Sequence, residues 1–228
     1  MNKYGLVGKN ISHSLSPDIY KKIIGPEVIY DLLDYSNFNL IPKASDLLNT
    51  YTGINITSPY KEHFLREVIL IGESSNLNAI NCLRKRENKI EGVNTDFLGI
   101  MNLLKTDLRR YKEYEVVILG DGAMSRVVQY ALMLNSKSYK VHSRKLNSNF
   151  KSYDYLSECN GRPIFLINTC AREFDFHSIL SKESFFWDLN YLHANHSISI
   201  PKMCTYLDGF SLLQKQAEFA VLFWSEKI

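Results

Sequence analysis

Short apolar runs alternate with helix-patterned stretches through the first hundred residues. Residues 4–7 (YGLV), 28–33 (VIYDLL) and 53–56 (GINI) have the length and composition of strands. Residues 17–24 (PDIYKKII) predict a helix, with Ser16 as its N-cap and Pro17 at the first position, where a missing N–H costs nothing. Pro59 after Ser58 predicts a second helix in the same way, PYKEHFLREVILIG. Residues 81–86 and 89–92 predict a hairpin around Glu87-Asn88. From Asp96 the pattern changes. FLGIMNLLKTDL, with apolar positions 97, 100, 101, 103, 104 and 108, predicts an amphipathic helix. Residues 115–119 (EVVIL) then predict a buried strand, running into a glycine turn and the helix RVVQYALML. Further strands are expected at 139–142, 163–168 and 184–189. The last helix, FSLLQKQAEFAVLFW, is apolar on more than one side and should be substantially buried. Strands alternating with helices predict an α/β fold with largely parallel sheets. The division falls near residue 98, with the final helix returning to the first domain.

Composition narrows the picture by exclusion. The 228 residues allow one or two domains. Lys+Arg is 27 and Asp+Glu is 24, a net charge of +3. The densest basic stretch, KTDLRRYK at 105–112, is short and contains an acid, so no nucleic-acid stripe is expected. No run approaches the ~18 apolar residues of a membrane span, and MNKYGLVGKN lacks a signal core. A soluble, cytoplasmic chain is the expectation. Cys82, Cys159, Cys170 and Cys204 are widely spaced, as reduced, packed thiols are. His193 and His196 lie in a polar, loop-like stretch and read as surface histidines, so no metal is expected.

The turn at 120–125, Gly-Asp-Gly-Ala-Met-Ser, fits GxGxxG except for Ser125. It follows a hydrophobic strand directly and opens a helix, which is the context a dinucleotide needs. Gly120 permits the tight turn, and Gly122 lets the backbone approach a pyrophosphate at the positive end of the helix. A plain strand–helix turn would need glycine for its dihedral angles alone. Asp121 adds a negative charge beside that pyrophosphate. The next strand ends in Ser143-Arg144-Lys145 with no acid, and a hydroxyl with two cations suits the 2′-phosphate of NADP(H) better than the bare ribose of NAD(H).

Three polar clusters mark the first half. They are Ser14-x-Ser16, Asn55-x-Thr57-x-Pro59-x-Lys61 and Asn94-Thr95-Asp96. The last two follow strands, and the end of a strand is where open α/β sheets bind ligands. Each cluster taken singly also suits a turn or cap.

HSLSP at 13–17, GINITSPYKE at 53–62, NAINCL at 78–83, GVNTD at 92–96, GDGAMSR at 120–126 and GFSLLQKQA at 209–217 together resemble the signatures of the shikimate dehydrogenase family, in family order. The resemblance implies a substrate domain of residues 1–98 plus 209–228, three-layered with a mainly parallel sheet. It implies a trimmed Rossmann-type NADP-binding domain of 99–208. By the same resemblance, Lys61 is the catalytic proton donor or acceptor and Asp96 its partner. Ser14, Ser16, Asn55, Thr57, Asn81, Tyr191 and Gln216 are matched to substrate contacts. Gly120, Gly122, Ala123, Ser143, Arg144, Lys145, Leu189 and Gly209 are matched to the cofactor. The implied activity is reversible NADPH-dependent reduction of 3-dehydroshikimate to shikimate in a cleft between the domains, by a monomer or homodimer.

The departures lie in the cofactor half. The family's Gly-Ala-Gly-Gly-Ala is Gly-Asp-Gly-Ala-Met here. Its Asn-Ala-Thr-Pro-x-Gly-Met is replaced by residues 168–174, NTCAREF, and the stretches 145–163 and 189–209 are short. Two alternatives stay open: a quinate/shikimate dehydrogenase using NAD(H), and a non-catalytic shikimate-binding paralogue.

Overall fold

The computed structural model describes residues 2–145 and 161–228; Cys159 and most of the shortened 145–163 stretch lie outside the described residues. The chain forms two compact units, Met1–Gly99 with Gln214–Ile228, and Ile100–Leu213.

In the first unit a six-stranded sheet has the order β2-β1-β3-β5-β6-β4. Its strands are β1 (Lys3–Gly8), β2 (Ile29–Asp34), β3 (Gly53–Ile56), β4 (Ile69–Leu70), β5 (Cys82–Arg86) and β6 (Lys89–Val93). β1 runs parallel to β2 and β3, whereas β5 is antiparallel to β3 and, as the predicted hairpin requires, to β6. Glu87 adopts a positive φ of 54° at the hairpin turn. Helices α1 (Ser16–Ile24), α2 (Ala44–Thr50) and α3 (Ser74–Leu77) complete the unit's N-terminal segment. Val7, Ile54, Ile56, Tyr60, Phe64, Ile80 and Leu83 are buried in one core cluster.

Two local expectations are corrected. Ser16 is the first residue of α1 and not its N-cap; Leu15 takes the cap position, and Ser14 Oγ accepts the Ser16 amide at 3.2 Å. The helix expected from Pro59 does not form. The segment instead makes i→i+3 turns (His63 N to Tyr60 O, Glu67 N to Phe64 O). The Lys61 carbonyl accepts from Ile80 N at 2.9 Å, which withdraws it from any helical ladder. Tyr60 and Phe64 are fully buried, so the segment's apolar residues reach the core without forming a helix.

Helix α4 (Thr95–Lys105) carries the chain into the second unit. There β7 (Glu115–Leu119), β8 (Tyr139–His142), β9 (Ile164–Asn168), β10 (Phe185–Asp188) and β11 (Thr205–Leu207) form an all-parallel sheet, ordered β11-β10-β9-β7-β8. Helix α5 (Ala123–Leu134) follows β7, and the short α6 (His196–Ser199) follows β10. Val117, Leu119, Leu166, Phe176 and Phe186 belong to its core. β4 and β11 are two and three residues long, too short to leave a readable alternation.

Helix α7 (Phe210–Trp224) starts in the second unit and ends in the first. The first turn stays with the second unit because Gly209 lies against Leu189; an added Cβ would sit 2.3 Å from the Leu189 carbonyl oxygen. At the other end Trp224 stacks on Tyr4, lies over Gly53 and donates to Leu83 O at 3.0 Å. Among the described residues no helix is long and apolar enough to cross a membrane.

Candidate functional site

The first unit collects most of the predicted polar residues where β1 and β3 end. The β3–β5 pairing brings Asn55 opposite Cys82, next to Asn81. Tyr30 OH donates to Asn55 Oδ1 at 2.8 Å, and Asn55 Nδ2 donates to the Asn81 carbonyl at 3.2 Å. Burial pushes the Tyr30 hydroxyl well above the ordinary tyrosine range, so it stays a donor. Asn81 Oδ1 in turn accepts from Thr95 N at 2.6 Å, and Thr95 Oγ1 lies 3.3 Å from Gln216 Oε1 on α7. This network joins β2, β3, α4 and α7 through buried side chains. It occupies the Asn81 acceptor and leaves its Nδ2 donors without a partner among the described residues.

Asn94 caps α4, its Oδ1 accepting the Phe97 amide at 2.9 Å. That cap fixes Asp96 in the first helical turn, where the dipole favours a carboxylate. Lys61 Nζ donates to Asp96 Oδ2 at 2.7 Å, and both side chains are largely buried. Ser14 Oγ donates to Ser16 Oγ at 3.1 Å, and Thr57 follows β3 half-buried. Tyr191 belongs to the second unit, where the Arg172 guanidinium lies 4.9 Å from its ring centroid.

In the second unit Gly120, Asp121, Gly122, Ser143 and Arg144 line a cavity of about 680 Å³ together with residues 169–171 and 173–175. Gly120 has a φ of +101°, and a Cβ there would meet Thr169 Oγ1 at 2.7 Å. Gly122 is the N-cap of α5, and nothing lies within 4 Å of where its Cβ would be. Open space beside a helix N-terminus is what a pyrophosphate requires, so a dinucleotide fits the residues present. Ala123 opens α5. Ser143 is buried, while Arg144 and Lys145 are exposed. Burial pushes the Cys170 thiol at the cavity wall up to about 12. Leu189 and Gly209 touch each other, as the Gly209 packing requires.

Several contributors carry no motif in the sequence. Tyr30 lies within the apolar strand run 28–33, and Thr169 and Cys170 lie in the altered 168–174 segment. An acid within the apolar strand SFFWDL was the one signal for Asp188, which is fully buried. Asp188 Oδ1 accepts from Asn168 Nδ2 and from Asn190 N and Nδ2, each at 3.0 Å, and so ties the ends of β9 and β10 together.

The surface reading of His193 and His196 is corrected, since both are buried. His196 Nδ1 donates to Asp188 Oδ2 at 2.6 Å, and its Nε2 accepts the Phe176 amide. His193 Nδ1 accepts the His196 amide and its Nε2 donates to Phe174 O. Asp175 lies beside them, but the rings are stacked 3.6 Å apart and nearly parallel. Parallel rings cannot aim their in-plane lone pairs at one ion, so this geometry serves packing of the 174–176 segment.

A shikimate dehydrogenase substrate binding domain model matches residues 6–83. The shikimate dehydrogenase (NADP(+)) of Clostridium beijerinckii is 32% identical over 184 residues, 74% of this chain and 67% of the relative. Other curated shikimate dehydrogenases align over 62% and 57% of their length, so the chain spans about two thirds of these relatives or less. Among solved structures, shikimate dehydrogenase from Aquifex aeolicus is similar with a TM-score of 0.79 at 22% identity, covering 99% of this chain and 93% of that one. The Thermus thermophilus enzyme in complex with NADP(H) and shikimate gives 0.73 at 21%, covering 99% and 94%. At these identities the structural likeness is one of fold.

Proposed function

The chain belongs to the shikimate dehydrogenase family, and from that premise we propose that it interconverts 3-dehydroshikimate and shikimate with NADP(H), Lys61 exchanging the proton and Asp96 orienting it. The observation that carries this reading is the 2.7 Å Lys61–Asp96 contact, set beside a buried network of neutral amides and hydroxyls. An isolated surface ion pair has no such surroundings.

The nicotinamide, when bound, supplies or accepts the hydride. As the ketone carbon gains that hydride, negative charge builds on its oxygen. The Lys61 ammonium transfers one proton there, leaving an alcohol and a neutral amine. In the oxidising direction the neutral amine takes the hydroxyl proton. Asp96 keeps Nζ in place through both steps. Ser14 and Ser16 offer hydroxyl donors to the substrate carboxylate. Asn55, Thr57, Asn81 and Gln216 provide amides and a hydroxyl for the ring hydroxyls, and Tyr191 is a further contact.

Gly120, Gly122 and Ala123 would hold the pyrophosphate at the α5 N-terminus, and Ser143, Arg144 and Lys145 the 2′-phosphate. Leu189 and Gly209 would border the nicotinamide. That the similarly folded Thermus thermophilus enzyme is in complex with NADP(H) and shikimate supports a nucleotide and a shikimate site on this fold. A steady-state assay with shikimate and NADP⁺, with quinate and NAD⁺ as controls, tests it. Turnover of shikimate over quinate is expected. Shikimate binding by a folded protein without turnover would leave a binding paralogue instead.

A further inference from the structure

The turn between β7 and α5 carries an acid, and the acid is turned toward the end of β8. Asp121 Oδ2 accepts from Ser143 Oγ at 3.2 Å and stands 3.6 Å from Lys145 Nζ. Ser143 and Lys145 are two of the three groups available to a 2′-phosphate. We propose that Asp121 is a specificity-determining residue that weakens the chain's discrimination between NADP(H) and NAD(H), an inference that rests on reading this cavity as the cofactor site.

Two physical effects act in the same direction. An incoming 2′-phosphate brings about two negative charges beside a carboxylate and must draw Ser143 and Lys145 away from it. An unphosphorylated ribose meets no such repulsion, and its 2′-hydroxyl can donate to the carboxylate. Dinucleotide sites selective for NAD usually supply that acid from the end of the second strand. Here β8 ends without one, and the glycine turn after the neighbouring strand β7 supplies it within the same cavity. Arg144, which pairs with no acid among the described residues, still favours the phosphate. The Asp121–Lys145 pair is exposed at the lysine end and therefore yields to a stronger anion. The result is a tempered preference, not a reversed one.

Calorimetric titration of NADP⁺ and of NAD⁺ into the full chain, without substrate, tests this in wild type, Asp121→Asn and Asp121→Ala. Both variants should bind NADP⁺ about ten-fold more tightly, the scale of removing one like charge a few ångströms from a phosphate. Both should bind NAD⁺ severalfold more weakly, because the hydroxyl acceptor is gone or poorer. Equal shifts for the two nucleotides, or no shift, would overturn the proposal and confine Asp121 to the pyrophosphate or to the turn itself. A wild-type chain that binds neither nucleotide would remove the cofactor site and this inference with it, a result distinct from parallel shifts.

Discussion

Lys61 and Asp96 have separable duties, and single substitutions should tell them apart. Lys61→Ala removes the proton carrier, so kcat should fall by about 10²–10⁴-fold, the usual worth of a positioned acid or base. Asp96→Asn keeps the shape and removes the charge that holds Nζ, so kcat should fall while the fold survives. Because the two act as a unit, the double variant should be little slower than the worse single one in steady-state assay. A purely structural ion pair predicts near-normal kcat in both. Cys170 gives a second test at this scale. Its thiol is pushed up to about 12 by burial, above the ordinary value of 9.0. A raised folded pKa favours the protonated thiol, so this preference supports the fold below pH ~9 and is lost as pH rises toward 12. At pH ~8 the folded chain should alkylate at Cys170 on the order of a thousandfold more slowly than the unfolded chain, read by peptide mapping.

At the scale of elements, two glycines that look alike in sequence should behave oppositely. Gly209→Ala drives a methyl into the Leu189 backbone, which cannot move without shifting the end of β10. It should cost about 1–3 kcal/mol in urea unfolding, the usual range for overpacking. Gly122→Ala meets nothing within 4 Å at the start of α5. Its unfolding midpoint should stay close to wild type, while nucleotide affinity falls, because the methyl occupies the approach a pyrophosphate needs. Loss of stability without loss of nucleotide binding in Gly122→Ala would return that turn to a purely conformational role.

For the whole molecule, the consequence of a discontinuous first unit falls on Trp224. Its indole fills the space over Gly53, stacks on Tyr4 and bonds to Leu83 O, so the chain's last helix completes a sheet begun at its first strand. Trp224→Ala should destabilise the first unit by about 3–5 kcal/mol. The chain has two tryptophans, so Trp187, in β10, then becomes the sole fluorophore of its kind and reports the second unit. In urea the circular dichroism of the variant should begin to fall before Trp187 fluorescence changes. Coincident transitions at the wild-type midpoint would show that the indole contributes little.

Local pattern determined most of the elements. The bounds of β3, β8 and α7 agree with the apolar runs, and the Gly-Asp-Gly turn between a hydrophobic strand and an amphipathic helix was legible because each piece has its own local chemistry. The polar clusters around Asn55, Lys61, Asn81 and Asp96 were legible as motifs, since their residue types are costly in a plain core. Tertiary structure decided the rest. Whether 59–72 coiled into a helix depended on the Lys61 carbonyl finding Ile80, a partner set by the fold and not by the segment's own pattern. His193 and His196 read as solvated from their polar neighbours, yet are buried because Asp188 and the amides of the 174–176 segment and α6 satisfy their nitrogens. The partners of Asp121 were equally hidden, because Ser143 and Lys145 lie more than twenty residues away and meet it only once β8 pairs with β7. Periodicity reports which side of an element seeks the core. Which polar atom answers which is fixed only when distant strands come into register.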